Sequence, residues 1–197
     1  MRFTQFLAAL LLPLAVACGS DTATVRLVAG DSSGKALQQA LDSRSASDFD
    51  AILLNVVSLR VRMSGGSDSG WTELLREEDK PFVLDLHRLL AGELIELAEG
   101  EIPAGKLTEI RFVLDAKDPG HAIPAGGTPD DRISVRVPSG TTSGLKIKGP
   151  AIAIEEGGTH ELIVDFDVQA SLKDDKDGLR IRPVIRLRGV ETEAVVD

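Results

Sequence analysis

Alternation of apolar and polar residues with a period of two is the feature that most constrains the fold of this chain. In "VVSLRVRM" it places Val57, Leu59, Val61 and Met63 on one face and serine and arginine side chains on the other. Because successive side chains of a strand point to opposite faces, such segments are typical of half-buried β-strands. The pattern recurs in "IRFVL" (110–114), "RISVRV" (132–137), "ELIVDFDV" (161–168) and "LRIRPVIRLR" (179–188).

Shorter apolar segments and frequent turn signals extend this pattern along the chain. Glycine, proline, serine and aspartate cluster between the segments, where the chain is expected to reverse. Further short strands are predicted at "TVRLVA" (24–29), "ELIELA" (93–98), "LKIK" (145–148) and "AIAI" (151–154). The sequence therefore predicts an all-β fold, an antiparallel β-sandwich of the immunoglobulin-like or prealbumin-like kind with about 7–9 strands.

Two segments of helical period and one proline modify this picture. Short helices are predicted near 34–43 ("GKALQQALDS") and 84–92 ("LDLHRLLAG"). Pro183 interrupts the last predicted strand, and proline cannot donate a hydrogen bond to a neighbouring strand. We therefore expect an edge position or a bulge at Pro183.

The N-terminal segment has the pattern of a secretory signal. Arg2 precedes an apolar run from Phe6 to Ala17, which is too short for a permanent membrane span. "LAVAC" resembles a bacterial lipobox, in which the cysteine becomes the first mature residue and carries a diacylglycerol. Cys18 is the only cysteine of the chain, so we predict that it is lipidated. The alternatives are a free thiol and cleavage of an ordinary signal.

These features predict the domain organisation and the location. We expect a signal peptide at 1–17, a lipidated cysteine with a short tether at 18–23, and one sandwich domain at 24–192. The lipid on Cys18 would attach the protein to a membrane of the bacterial cell envelope. Gly19 is not an acidic retention signal, which favours the outer membrane.

The charge balance excludes some partners. The sequence has 22 lysines and arginines against 31 acidic residues, a net charge of −9. Such a surface disfavours nucleic acid and anionic lipid headgroups as partners, because both are polyanions.

Several segments together resemble a known family. "DLHRLLAG", "IPAGKLTEIRFVLD", "VPSGTTSGLKI", "VDFDVQASL" and "LRIRPVIRL" occur in this order. As a set they resemble domain-of-unknown-function family 4382 (DUF4382), which occurs in bacterial secreted proteins and lipoproteins. The resemblance implies a secreted β-sandwich and implies no particular activity.

The acidic segment "IVDFDVQASLKDDKDG" (163–178) is the first candidate for site chemistry. A calcium loop needs acidic ligands at alternate positions, a glycine at the turn and a distal bidentate carboxylate. Aligned on "KDDKDG", this pattern puts Lys173 at the first ligand position and Val184 at the last. Two ligands are therefore missing, so we interpret the segment as the tip of a hairpin, where Asp and Gly favour tight turns.

Asp165 and Asp167 are a separate case, because residues two apart on a strand face the same side. If 160–170 pairs with 179–188, parity places Asp167 opposite Arg182 or Val184 and Asp165 opposite Val184 or Arg186. Cross-strand ion pairing explains such a placement without a ligand. The alternative is a ligand or cation site that Asp165 and Asp167 share with Ser171 and with Ser139 of the "PSGTTSG" loop (138–144). Hydroxyls and backbone amides of such a loop suit an anion or a sugar.

No enzyme signature accompanies these candidates. The sequence contains neither G-x-S-x-G nor H-E-x-x-H, and its three histidines are far apart in sequence. We expect a non-catalytic module for binding, adhesion or envelope assembly that uses no cofactor and no metal. The alternative is an accessory lipoprotein that binds a glycan or a peptide, with or without a cation site, in which the "PSGTTSG" loop or Trp71 lies exposed in a concave site.

Overall fold

The structure is a computed structural model that describes residues 21–31, 45–64, 70–176 and 178–193. The signal segment, Cys18 and the helix predicted near 34–43 lie outside the described residues. Within them, no helix is long and apolar enough to cross a membrane.

Strands dominate the described part of the chain. They are β1 (Thr22–Gly30), β2 (Phe49–Ser64), β3 (Trp71–Glu73), β4 (Phe82–Asp85), β5 (Ile95–Pro103), β6 (Gly105–Leu114), β7 (Gly120–Pro124), β8 (Ile133–Arg136), β9 (Leu145–Ile154), β10 (Thr159–Asp167), β11 (Leu172–Asp175), β12 (Gly178–Ile181) and β13 (Val184–Glu193). Two short helices, α1 (Leu86–Leu90) and α2 (Val168–Ser171), accompany them. The all-β prediction with one or two short helices is confirmed, whereas the predicted strand count is too low.

The strands form two open sheets. The smaller has the order β13-β10-β1-β5, and the larger runs β11-β12-β8-β7-β2-β6-β9, with β3 and β4 also paired to β2. Most pairings are antiparallel, but β1 pairs in parallel with β10 and β12 in parallel with β8. The prediction of a purely antiparallel arrangement is therefore wrong at these two places. The alternation within a strand does not depend on the direction of its neighbour, so it carries no sign of either pairing.

One hydrophobic core joins the two sheets. Leu27 of β1 and Leu162 of β10 have no exposed surface, and neither does Ile110 of β6. All three belong to one cluster of buried side chains. The inward faces are thereby removed from water, and the outward faces carry the polar and charged residues of each strand.

The long strand β2 departs from the predicted alternation at one point. Its pairing with β6 shifts register between Val56 and Ser58, which marks a β-bulge. Val56 is buried and Val57 is partly exposed, so the prediction that Val57 shares the inward face with Leu59 is wrong. Beyond the bulge, Leu59, Val61 and Met63 are buried as predicted.

The chain passes from one sheet to the other at Arg182 and Pro183. The segment predicted as one strand, 179–188, is divided there into β12 of the larger sheet and β13 of the smaller. A single hairpin between 160–170 and 179–188 is therefore wrong, because α2, β11 and β12 lie between the two paired strands. Pro183 stands in the break, where its missing N–H costs no hydrogen bond of the sheet.

Candidate functional site

The register of β10 and β13 places both predicted aspartates. Asp165 lies opposite Arg186 and Asp167 opposite Val184, as parity predicted. Both aspartates are partly exposed on the outward face of the smaller sheet. Asp167 also caps α2, because its Oδ1 accepts a hydrogen bond of 2.9 Å from the amide of Ala170. The Oδ1 atom of Asp167 is therefore engaged in a hydrogen bond with the backbone.

Ser171 holds the crossing between the sheets together. Its hydroxyl donates to the carbonyl oxygen of Asp167 at 2.5 Å and accepts from the amide of Val184 at 2.8 Å. The amide of Arg182 donates to the carbonyl oxygen of Ser171 at 2.8 Å. Ser171 is fully buried. These contacts give Ser171 a structural role that its place beside an acidic segment did not suggest.

Replacing Ser171 by alanine tests this role. The variant leaves the partly buried amide of Val184 without its partner, so we expect a loss of about 1–3 kcal/mol in the free energy of unfolding. Urea unfolding followed by circular dichroism measures it. Ser139→Ala is the matched control, since Ser139 is exposed, and should change stability little. Equal stability of the two variants would contradict the structural role.

The "PSGTTSG" loop folds around the carbonyl oxygen of Ser139. It accepts from the amides of Ser143 at 3.1 Å and Gly144 at 2.9 Å, and the Gly140 amide donates to Val137. Three amides of the loop therefore donate hydrogen bonds within the loop. They are not available to bind an anion, a role that the sequence had suggested for the amides of this loop. Ser139 is exposed at a φ of 63°. The hydroxyl of Ser143 also donates to the carbonyl oxygen of Ser139 at 3.4 Å, whereas the exposed hydroxyl of Ser139 and the side chain of Lys146 point to a ligand-accessible surface.

A groove lies between this loop and the sheet crossing. One part, of about 300 Å³, is lined by Ser139, Ser143, Lys146, Pro183 and Ile185 together with the backbone around them. An adjoining part of about 400 Å³ shares Pro138 and Pro183 with it and is lined by Arg136, Arg180 and Arg182. We call the two parts the crossing groove. Its lining includes neither Asp165 nor Asp167, so the structure does not bring Ser139 and the two aspartates into one site.

Asp175 forms ion pairs with two of the three arginines that line the crossing groove, Arg136 and Arg180. Asp175 accepts from Nε of Arg136 at 2.7 Å and lies 3.5 Å from Nε of Arg180. The Arg180 Nε is buried and makes no hydrogen bond. The hydrogen bond from Arg136 keeps the pKa of the Asp175 carboxyl below its ordinary value. Asp175 belongs to the hairpin tip that failed as a calcium loop.

The Asp175 pair gives a pH-dependent prediction. Because the pKa of Asp175 is lowered in the folded protein, the pair stabilises the fold fully at a pH above the ordinary pKa of aspartate. This stabilisation is lost as the pH falls through the lowered pKa. Arg136→Ala should therefore raise the pKa of Asp175 toward that ordinary value, as measured by NMR titration of the side-chain carboxyl carbon. Arg132→Ala, at an exposed arginine before β8, should leave it in place. An unmoved titration in Arg136→Ala would contradict the ion pair.

A cluster around the only tryptophan is the feature that the sequence did not reveal. Trp71 is 38 % exposed, and the guanidinium carbons of Arg111, Arg60 and Arg62 lie 4.3, 5.4 and 5.9 Å from its ring centroid. The three arginines come from β2 and β6, because Trp71 pairs with Arg62 and Arg60 pairs with Arg111. We call Trp71 and these three arginines the tryptophan platform.

The platform carries more positive than negative charge. Arg111 forms a 2.5 Å ion pair with Glu109. Among the described residues, Arg60 and Arg62 make no ion pair, and the Nε of Arg60 is buried without a hydrogen-bond partner. The carboxylate of Glu73, opposite Arg60, instead accepts from the hydroxyl of Ser58 and the amide of Leu59. The guanidinium groups repel one another, whereas each of them is attracted to the face of the indole ring over which it lies.

The platform continues into the crossing groove. Lys146 of β9 lies opposite Arg111 and also lines the groove. Gly144 packs so closely on Arg111 that a Cβ there would lie 2.7 Å from the arginine Cγ. A row of cationic side chains therefore leads from Trp71 across three strands to the "PSGTTSG" loop. We call Arg60, Arg62, Arg111 and Lys146 the cation band.

The remaining candidates lie elsewhere in the fold. His87 is in α1, His121 in β7 and His160 in β10. His160 is buried, and its Nε2 accepts from the amide of Glu155 at 3.1 Å. No group of three metal-ligating side chains occurs within the described ranges. A cleft of about 400 Å³ between β5 and the segment before β4 is lined by Leu75, Phe82 and Leu97 with charged residues at its rim.

Comparison with known proteins identifies the family of this domain. The family model described as a domain of unknown function, DUF4382, matches residues 37–183. Neither the curated proteins nor the solved structures contain a significant match to the chain. The matched range extends from before β2 to Pro183 and so includes the platform and the lining of the crossing groove other than Ile185. The chain belongs to the DUF4382 family.

Proposed function

We propose that this protein is a lipid-anchored, non-catalytic binding module of the bacterial cell envelope. The anchor is Cys18, at the end of an apolar signal segment. The module is the two-sheet domain, for which we propose a sandwich of the immunoglobulin-like or prealbumin-like kind. The short stretch between Cys18 and β1 would keep the domain close to its membrane, with the outer membrane as the proposed one.

The tryptophan platform is the observation that supports a binding role. Trp71 is a large aromatic residue with 38 % of its surface exposed, at a place where three guanidinium groups converge. Aromatic and arginine side chains are the residue types that contribute most to binding energy at protein surfaces. Two of the arginines lack an ion-pair partner in the described part of the chain, so a ligand with negative charge would relieve their mutual repulsion.

The same residues favour binding over catalysis. The platform and the crossing groove contain guanidinium, ammonium, hydroxyl and indole groups, and His160 is in the core. Arginine remains protonated and serves as neither an acid nor a base in water. These groups can hold and orient an anion, and the positions of the histidines on three separate elements support no shared proton-transfer role.

Capture from envelope extract tests the binding role. The full chain, Arg62→Ala and Arg132→Ala are immobilised in neutral detergent and exposed to the extract. We expect wild type and Arg132→Ala to retain a component that Arg62→Ala loses, and to release it with unchanged mass. Equal retention by all three proteins would contradict binding at the platform, and a change in the mass of the component would contradict the non-catalytic role.

The cleft beside β5 supports a second candidate, a peptide-binding module. β5 is at the end of the smaller sheet, and an extended peptide can add to such an edge. Glu96 and Glu99 line the cleft and charge this edge, which disfavours acidic peptides. If the captured component were a peptide that Val83→Asp displaces and Arg62→Ala does not, this second candidate would replace the first. Val83 is suited to this test because it is 49 % exposed in the cleft lining.

A further inference from the structure

We propose that the tryptophan platform and the crossing groove bind an acidic glycan, a chain of sugars that carry carboxylate groups. This inference rests on the proposed binding function and names the ligand class. It uses three observations: the cation band, the exposed indole and the hydroxyl-rich loop where the band ends.

The cation band sets the charge of the ligand. Arg60, Arg111 and Lys146 lie opposite one another on β2, β6 and β9, so their Cα positions advance by one strand spacing at a time, about 4.8 Å. Arg62 lies two residues from Arg60 on the same face. A guanidinium binds a carboxylate through two parallel hydrogen bonds, which makes it selective for planar anions. An extended ligand with regularly repeated carboxylates matches such a row better than a compact ion does.

The exposed indole of Trp71 favours a ligand that has a flat apolar surface. The guanidinium groups of Arg111, Arg60 and Arg62 lie over the Trp71 ring, and the residue remains 38 % exposed. A pyranose ring presents C–H bonds on its faces and hydroxyls around its rim. Its face can pack on the exposed indole while its carboxylate reaches Arg62, which lies opposite Trp71. An acidic peptide has the carboxylates but lacks a rigid apolar face of this size.

The end of the cation band at the "PSGTTSG" loop offers partners for the hydroxyl groups of a sugar. Ser139 and Ser143 line the crossing groove beside Lys146, and Ser139 is exposed. Serine hydroxyls both donate and accept hydrogen bonds, as sugar hydroxyls do. Single-stranded nucleic acid also combines stacking surfaces with negative charge, so an oligonucleotide is included among the probes as a competing ligand.

Titration calorimetry on the full chain in neutral detergent tests this inference. The probes are an oligomer of galacturonic acid, the same oligomer with every carboxylate methylated, poly-glutamate and a single-stranded oligonucleotide. We expect the acid oligomer to bind and its methyl ester to bind at least about tenfold more weakly, because the ester cannot form the paired ionic hydrogen bonds. We expect poly-glutamate and the oligonucleotide to bind at least about tenfold more weakly than the acid oligomer.

Matched variants localise the binding. Trp71→Ala and Arg62→Ala should each weaken the acid oligomer by at least about tenfold, and Arg132→Ala should leave it unchanged. Thermal melts confirm that each variant is folded. Equal affinity for acid and ester, tighter binding of poly-glutamate or the oligonucleotide, or unchanged binding in both platform variants would overturn the inference. If the acid oligomer fails to bind while Arg62-dependent capture from envelope extract persists, the ligand class is wrong and the binding function stands.

Discussion

Replacing Cys18 by serine is expected to move the protein from the membrane fraction to the soluble fraction of the envelope. The proposed anchor is the lipid on the Cys18 sulfur, and serine cannot carry that thioether. Several acyl chains hold a protein on a bilayer far longer than one chain does, so their complete loss should have a large effect. Fractionation followed by immunoblotting, with metabolic labelling by a fatty acid, measures both the location and the lipid.

A neighbouring substitution controls for damage to the signal segment. Ser20→Ala lies two residues beyond Cys18 and leaves its sulfur in place, so this variant should remain labelled and membrane-bound. If the Cys18→Ser protein stays in the membrane fraction after a high-salt wash, or if the wild type takes up no label, the anchor proposal fails.

Replacing Gly120 by alanine is expected to lower the free energy of unfolding by at least about 3 kcal/mol, because it combines two penalties. Gly120 has a φ of +153°, a conformation that side-chain-bearing residues rarely adopt. A Cβ at this position would also lie 2.2 Å from the carbonyl oxygen of Leu53, a backbone atom of β2. The pairing of β7 with β2 would have to shift to admit it.

Gly126 separates the two penalties. It has a φ of +73°, but a Cβ there would meet no atom within 4 Å. Gly126→Ala therefore carries the conformational penalty alone, and we expect it to cost about 1 kcal/mol. Urea unfolding of both variants measures the difference. Equal losses would show that the close approach of β7 to β2 is not required for stability.

The strands and the register of Asp165 and Asp167 could be predicted from the sequence because both follow from parity. An inward Phe166 puts its two neighbours outward, and parity leaves two possible partners for each of them. The observed partners are among these options, although β10 and β13 are joined through α2, β11 and β12 and not by a single hairpin. The bulge at Val56 and the sheet change at Pro183 could not be predicted in this way. Pro183 indicated an edge or a bulge but not a change of sheet, and the apolar pair Val56–Val57 does not show which of the two valines faces inward.

The candidate site was less predictable, since it depends on pairing between distant strands. The segment "LRVR" of β2 shows two outward arginines, and "IRF" of β6 shows a third. Only the register of β3, β2 and β6 brings all three to Trp71. The local alternation in a sequence shows which face of a strand a side chain occupies, but it does not show which side chains lie beside it on the neighbouring strands. Ser171 illustrates the converse, because its position beside aspartates suggested a ligand and its contacts are structural.

Quenching of the fluorescence of Trp71 tests the central claim most directly. Trp71 is the only tryptophan, so its emission reports the platform alone. At low ionic strength, the three guanidinium groups should concentrate iodide near the indole and repel caesium, although the whole protein has a net charge of −9. We predict that iodide quenches Trp71 at least about twice as strongly as caesium and that Arg62→Ala lowers this ratio. Quenching by caesium that equals or exceeds quenching by iodide would contradict the cationic platform and the binding function built on it.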